Sequence, residues 1–148
     1  MPKLYIEKLT DTPTPKQQTK FSAGMDIHAV IEDALGTVMI SPHQTVMIDT
    51  GLLMQPESGY HVEIFIRSSL AYKLNTGLAN AVAVIDRDFE NEVKILLHNN
   101  GNNFVTINHG QRIAQLQLKK TEPVEIIEVD ELPELDSDRT GGYGSTGK

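Results

Sequence analysis

Residues 79–99 read ANAVAVIDRDFENEVKILLHN, two apolar runs with an acidic break between them. The second run alternates, with Val93, Ile95 and Leu97 at every other position, which is the period of a half-buried strand. Asp86, Asp88, Glu90 and Glu92 crowd the break, so the stretch is predicted to be two strands joined by an acidic turn. Outward from it the same grammar recurs. Residues 61–66, HVEIFI, place Val62, Ile64 and Ile66 on one face. Residues 112–118, RIAQLQL, place Ala114, Leu116 and Leu118 on one face and Ile113, Gln115 and Gln117 on the other. Short Val, Ile and Leu segments separated by Gly, Pro, Asn and Asp clusters are the spacing of an all-β sandwich or barrel. Residues 68–73 are the best candidate for a short helix, with Ser68 or Ser69 available as its cap.

The composition narrows the function. At 148 residues the chain fits one domain, able to bury roughly two thirds of the surface its unfolded chain exposes. A formal net charge of -7 and a pI near 5.1 leave no basic stripe for a phosphate backbone, so polymeric nucleic acid is not an expected partner. A single nucleotide is compatible with this balance, because a triphosphate arrives with its own divalent cation and needs only a few placed donors. With no cysteine, disulfides, thiolate metal sites and a thiol nucleophile are excluded. No stretch approaches the ~18 apolar residues that a membrane span needs, and the N-terminal residues lack the apolar run of a signal peptide. The expectation is a soluble, cytoplasmic protein.

Three places carry candidate chemistry. Asp86 directly follows the apolar run that ends at Ile85, where a carboxylate leaving the core could hold a water for in-line attack on phosphorus, although an acidic turn is equally a solvated hairpin tip. Arg67, Ser68 and Ser69 end one strand and begin the predicted helix, where hydroxyls and N–H groups could face an anion, or where a serine simply caps a helix. After Pro133 the chain runs ELDSDRTGGYGSTGK, too polar to order itself by burial, yet an arginine, glycines, an aromatic and hydroxyls are the parts of an anion-binding loop. We therefore divide the chain into a β-domain, residues 1–132, and a flexible glycine-rich arm, residues 133–148. The arm formally matches G-x-x-x-x-G-K, but it lacks the preceding strand, the following Ser or Thr and the helix that such a loop opens. The five histidines show no metal-ligand spacing.

Taken together, AGMDI (Ala23 to Ile27), RSSLA (Arg67 to Ala71), the AVIDRDF hairpin, GQRIAQLQL (Gly110 to Leu118) and RTGGYGSTGK (Arg139 to Lys148) resemble, in order, the five motifs of the trimeric dUTPase family. The resemblance spans nearly the whole chain. It implies a distorted jelly roll or β-barrel with a short helix, a homotrimer with active sites shared between subunits, a C-terminal arm closing each site, and hydrolysis of dUTP to dUMP and pyrophosphate. That activity limits uracil in DNA and supplies dUMP for thymidylate synthesis.

Position by position, the resemblance implies that Asp86 is the general base and that Phe89, standing where Tyr is usual, packs under the deoxyribose and excludes a 2′-hydroxyl. Uracil would pair with main chain around Val84 and Ile85 on one strand and Lys94 on the other, with Asn80 offering an amide. Arg67, Ser68, Ser69 and Gln115 resemble phosphate-side contacts, with Gln115 counted among the catalytic residues. Asp26 resembles the aspartate that holds Mg2+ through its water shell, as suits a hard cation bound mainly by phosphates and waters. In the arm, Arg139 resembles the γ-phosphate ligand, Tyr143 the aromatic that stacks on uracil, and Gly144, Ser145 and Thr146 the surrounding phosphate contacts. Asn91 stands where the family's hairpin usually has Gly, and Asn is the natural substitute if that position needs positive φ. Two alternatives share the fold: a dCTP deaminase, whose catalytic glutamate would fall at Leu96, where leucine cannot shuttle a proton, and a regulatory nucleotide-binding protein.

Overall fold

A computed structural model describes residues 1–138. The chain is almost entirely strands: β1 (Leu4–Lys8), β2 (Met25–His28), β3 (Thr37–Ile40), β4 (Thr45–Asp49), β5 (Leu52–Pro56), β6 (Tyr60–Ile66), β7 (Thr76–Leu78), β8 (Ala83–Ile85), β9 (Lys94–Asn99), β10 (Val105–Asn108) and β11 (Arg112–Lys120), with one helix, α1 (Ser68–Leu74). Every pairing is antiparallel. The strands form a four-stranded sheet ordered β2-β11-β6-β8, a three-stranded sheet β4-β9-β7, and the pairs β1-β5 and β3-β10. This is an all-β, jelly-roll-like architecture. No sheet closes on itself, so the barrel half of the sequence expectation gives way to open sheets around one apolar core. No described helix is long and apolar enough to cross a membrane.

The predicted alternation is what fills the core. Val62 and Ile64 from β6, Ile95 and Leu97 from β9, and Leu116 from β11 are fully or almost fully buried, beside Ile27, Ile40, Leu52, Met54 and Ile107. In β11 the pattern is richer than a period of two. The register against β2 shifts between Arg112 and Ala114, a bulge that turns both Ile113 and Ala114 inward.

The helix forms where expected but is capped differently. Arg67 is the N-cap residue, its backbone extended at φ −74° and ψ 135°, and no side chain caps the helix. Ser68 and Ser69 therefore lie inside the first turn instead of capping it. Asn75 ends the helix in the left-handed conformation at φ 49°, which Asn tolerates better than most residues.

The largest correction concerns residues 79–99. β8 and β9 do not form a hairpin: β8 pairs with β6, and β9 pairs with β4 and β7, so the acidic connection crosses between two sheets. Val93 is already fully buried before β9 begins, and its N–H donates to the Leu52 carbonyl (2.9 Å). Glu92 has a structural task, because its Oε1 accepts from the N–H groups of Thr50 (3.2 Å) and Gly51 (2.7 Å) at the β4–β5 turn. Asn91 is not among the residues with positive φ; in this region that conformation falls on Ala81, at φ 58°.

Candidate active site

A cleft of about 510 Å³ is lined by Ala23, Gly24 and Asp26, by Arg67 and Ser68, and by Gln115. Strand register brings these distant segments together. On the four-stranded sheet Gln115 of β11 lies opposite Asp26 of β2 on one side and Phe65 of β6 on the other, and Arg67 follows two residues later. A Cβ at Gly24 would collide with Gln115 Oε1 and crowd its Cδ and Cβ, so the bare glycine lets the glutamine side chain take this course along the cleft wall, and a side chain there would push it aside.

At the cleft's base Asp26 is almost fully buried between two arginines. Arg67 Nε lies 3.0 Å from its Oδ1, and Arg112 Nη1 lies 3.1 Å from its Oδ2. One carboxylate thus orients two guanidiniums and leaves the group with a net positive charge, suited to a phosphate chain. Arg112 and Gly24 carried no individual role in the sequence reading. Arg112 stands only three positions before Gln115, but its proximity to Asp26 follows from the pairing of β2 with β11, which no local pattern reports. His28, opposite Arg112 in the same ladder, has its pKa lowered below the usual 6.5, chiefly by burial, with Asp26 opposing the shift and the two arginines adding to it. Its Nδ1 is buried without a hydrogen-bond partner among the described residues.

The fit of Asp26 to magnesium can be tested on this geometry. Both carboxylate oxygens already accept a guanidinium, so direct ligation would displace an arginine. Each oxygen retains a lone pair for a bound water, so the residues present suit a hydrated cation held through its water shell.

Asp86 and Phe89 do not line this cleft. Asp86 is exposed immediately after β8 and shares a cavity of about 680 Å³ with Tyr60, His61 and Thr121. Phe89, 40% exposed, lines a cavity of about 510 Å³ with Tyr5, Met54 and Gln55. The Phe89 N–H donates to the Asp86 carbonyl (3.2 Å), closing a tight turn that fixes the two relative to each other. Register gives the separation from the cleft. Ile85 lies opposite Val62, whereas Arg67 lies five residues further along the same strand direction, so at ~3.3 Å per residue Asp86 is about 15–20 Å from the Arg67 end.

The segments assigned to base recognition belong to two different sheets. β8 is the edge of its sheet, with Val84 exposed and Ile85 half-buried. Pairing of β7 with β9 ends at Leu78 and Leu97, followed by one bond from the Ala79 N–H to the Leu96 carbonyl (2.9 Å), and then β7 turns away through Asn80 and Ala81. The main chain near Lys94 is thereby left beyond the end of that ladder, while Asn80 is exposed at the turn. The Lys94 side chain is engaged elsewhere, 2.8 Å from Asp49 and 3.6 Å from Glu92, and the hydrogen bond to Asp49 is the main cause of its raised pKa. Ser69 is half-buried in α1, behind Ser68. Arg139, Tyr143, Gly144, Ser145 and Thr146 lie outside the described residues.

Comparison with known proteins adds a family to this geometry. The sequence profile of the dUTPase family matches residues 10–147. A deoxyuridine 5′-triphosphate nucleotidohydrolase of Nautilia profundicola is 42% identical over 147 residues, covering 99% of each chain. Among solved structures, a Staphylococcus bacteriophage 80alpha dUTPase with dUPNHPP superposes with a TM-score of 0.83 over 99% of each chain at 21% identity. A mutant dUTPase from phage phi11 of S. aureus, whose structure describes the coordination of a structural Mg(II) ion, superposes with a TM-score of 0.77 at 20% identity, covering 89% of this chain and 99% of its own.

Proposed function

The chain belongs to the dUTPase family and hydrolyses dUTP to dUMP and pyrophosphate, and from that premise we propose that water attacks the α-phosphorus in a site assembled from more than one copy of the chain. The observation that carries the shared site is the separation of its parts. Asp86 and the Arg67–Gln115 cleft lie about 15–20 Å apart along β6, too far to act on one phosphorus within a single copy. A second observation points the same way. After Thr121 the described chain joins no sheet and leaves Val124, Ile126, Ile127, Val129, Leu132 and Leu135 exposed, an apolar strip that calls for cover by a neighbour. The proposed assembly is a homotrimer.

In this reading Asp86 takes a proton from the attacking water and holds it in line with the scissile bond. Phe89, fixed three residues on, presents its ring to C2′ of the sugar and leaves no room for a ribose hydroxyl. The main chain of Val84, Ile85 and Lys94, with the Asn80 amide, pairs with the uracil edge, and such fixed polar pairing discriminates strongly between bases. On the phosphate side of another copy, Arg67, Ser68, Ser69 and Gln115 bind phosphate oxygens, with Asp26 holding Arg67 in position. Residues 133–148 are proposed as an arm completing the site, with Arg139 at the γ-phosphate, Tyr143 on the base, and Gly144, Ser145 and Thr146 around the phosphates. Mg2+ would be held by the phosphates and, through water, by Asp26, supplying charge neutralisation along the phosphate chain.

The test is pyrophosphate release from a panel of dNTPs and UTP, with and without Mg2+, together with a mixing experiment. dUTP should be turned over well ahead of dCTP, dTTP and UTP. Light scattering should give a mass near three times 16.4 kDa. Asp86→Asn and Arg67→Ala subunits, each inactive alone, should regain activity when mixed and reassembled. A fully active monomer, or mixtures that stay inactive although they assemble, would refute the shared site.

A further inference from the structure

Asn100 is the one asparagine of the chain followed by glycine, within HNNGNN at the end of β9. In an Asn-Gly pair the glycine nitrogen reaches the carboxamide carbon without obstruction from a side chain. Asn100 is exposed, but its backbone is pinned at both ends. Its own N–H donates to the Asn75 carbonyl (2.9 Å), and the Gly101 N–H donates to the side-chain Oδ1 of Asn99 (2.9 Å). Asn99 is itself immobile. It is fully buried, its Nδ2 donates to the carbonyls of Ile40 (3.0 Å) and Asn103 (2.8 Å), and its backbone is bonded to Gln44 and His43. The Asn100 side chain lies over Gly77 of β7, where a Cβ would come within 3.2 Å of its Nδ2.

We propose that Asn100 is a modification site, a latent point of spontaneous deamidation that the folded chain holds in check through the Asn99 side chain. In the reaction the Gly101 nitrogen loses its proton and attacks Asn100 Cγ. The new N–C bond closes a succinimide, and the carboxamide nitrogen leaves as ammonia. Water then opens the ring at either carbonyl, giving aspartate or isoaspartate and restoring the peptide nitrogen's proton. No reagent beyond water is consumed. The nucleophile is the same N–H that Asn99 Oδ1 accepts, and ring closure needs rotation of a backbone that Asn75 also holds. The folded chain must therefore open locally before Asn100 reacts. The product carries one more negative charge, set against β7. In the isoaspartate form the lengthened backbone would carry Gly101 away from Asn99, so that conversion once made resists refolding of the turn.

The experiment compares the full chain folded and urea-unfolded in mildly alkaline buffer, following each asparagine by peptide mapping with isoaspartate detection. In the unfolded chain Asn100 should convert ahead of every other asparagine. In the folded chain it should convert at least about tenfold more slowly, as for a reaction waiting on local opening. Equal rates in the two states, or earlier conversion of another asparagine in the unfolded chain, would overturn the proposal. Asn99→Ala should raise the folded-state rate toward the unfolded one; a variant that folds and stays slow removes Asn99 as the gate. Should that variant fail to fold, hydrogen exchange of the wild-type Gly101 amide decides. Protection matching the deamidation slowdown supports the gate, and exchange at the unfolded rate refutes it.

Discussion

In the Arg67–Gln115 cleft Asp26 is buried between two guanidiniums and Gln115 is backed against Gly24, whereas toward the other end of β6 Asp86, Val84 and Phe89 are exposed and no ion pair or side-chain hydrogen bond among the described residues holds Asp86. The contrast teaches where each half finds its rigidity. The first is pre-organised inside one chain by charge and packing. The second has its backbone placed by the pairing of β8 with β6 and by the Asp86–Phe89 turn, while its side chains stand exposed. Mutations on the two sides should consequently separate chemistry from scaffold.

The sharpest separation is expected at Asp86. If Asp86 is the proposed base, Asp86→Asn removes it and nothing structural, so turnover should fall ~10²- to 10⁴-fold with the urea midpoint and the affinity for a non-hydrolysable dUTP analogue nearly unchanged. A large loss of stability would place Asp86 in the scaffold instead. Asp26→Asn should do the reverse in kind. It strips the shared counter-charge from Arg67 and Arg112, and because both arginines are partly exposed the cost should be about 1–3 kcal/mol, below the ~3–5 of a fully buried pair. The same variant should raise KM as Arg67 loses its orientation, and should raise the Mg2+ concentration needed for half-maximal activity as the water-mediated contact weakens. If stability and KM hold while only the metal requirement changes, Asp26 acts through the cation alone.

A smaller effect is expected at Phe89. Phe89→Ala should relax the dUTP to UTP ratio of kcat/KM by roughly tenfold, the scale of about 1–3 kcal/mol for altered pocket packing. An unchanged ratio would assign ribose exclusion to another wall. The smallest effect concerns pH. The folded-state pKa of His28 is depressed, so between that value and 6.5 the unfolded chain binds more protons than the folded one. The stabilisation is present above pH 6.5 and lost as pH falls through the folded value. Urea midpoints of wild type and His28→Asn, measured at steps across that window, should converge toward its acid end. Parallel curves would show that His28 does not contribute.

The comparison also separates what could be read along the chain from what could not. Val62, Ile64, Ile95, Leu97 and Leu116 announce their burial by alternation alone, because a strand's side-chain period is a local property. The serine cap failed because Ser68 and Ser69 are helical while Arg67 takes the cap position and spends its side chain on Asp26. The hairpin failed for a different reason. Two adjacent strands with a polar turn suit each other locally, but Val93 is drawn under Leu52 and Glu92 onto the β4–β5 turn, which commits β9 to the other sheet.

By itself the sequence determined the all-β character, the main inward-facing residues, the position of the short helix and, through five ordered motifs, the family. All of these are written in short-range spacing and residue type. Only the tertiary structure decided that Asp26 is shared by Arg67 and Arg112, that Gln115 lies against Gly24, and that Asp86 lies at the far end of β6 from the Arg67–Gln115 cleft. Those facts depend on the register of strands far apart in the chain, 86 residues in the case of Asp26 and Arg112, and register is set by the summed burial of the whole core, which no local stretch encodes.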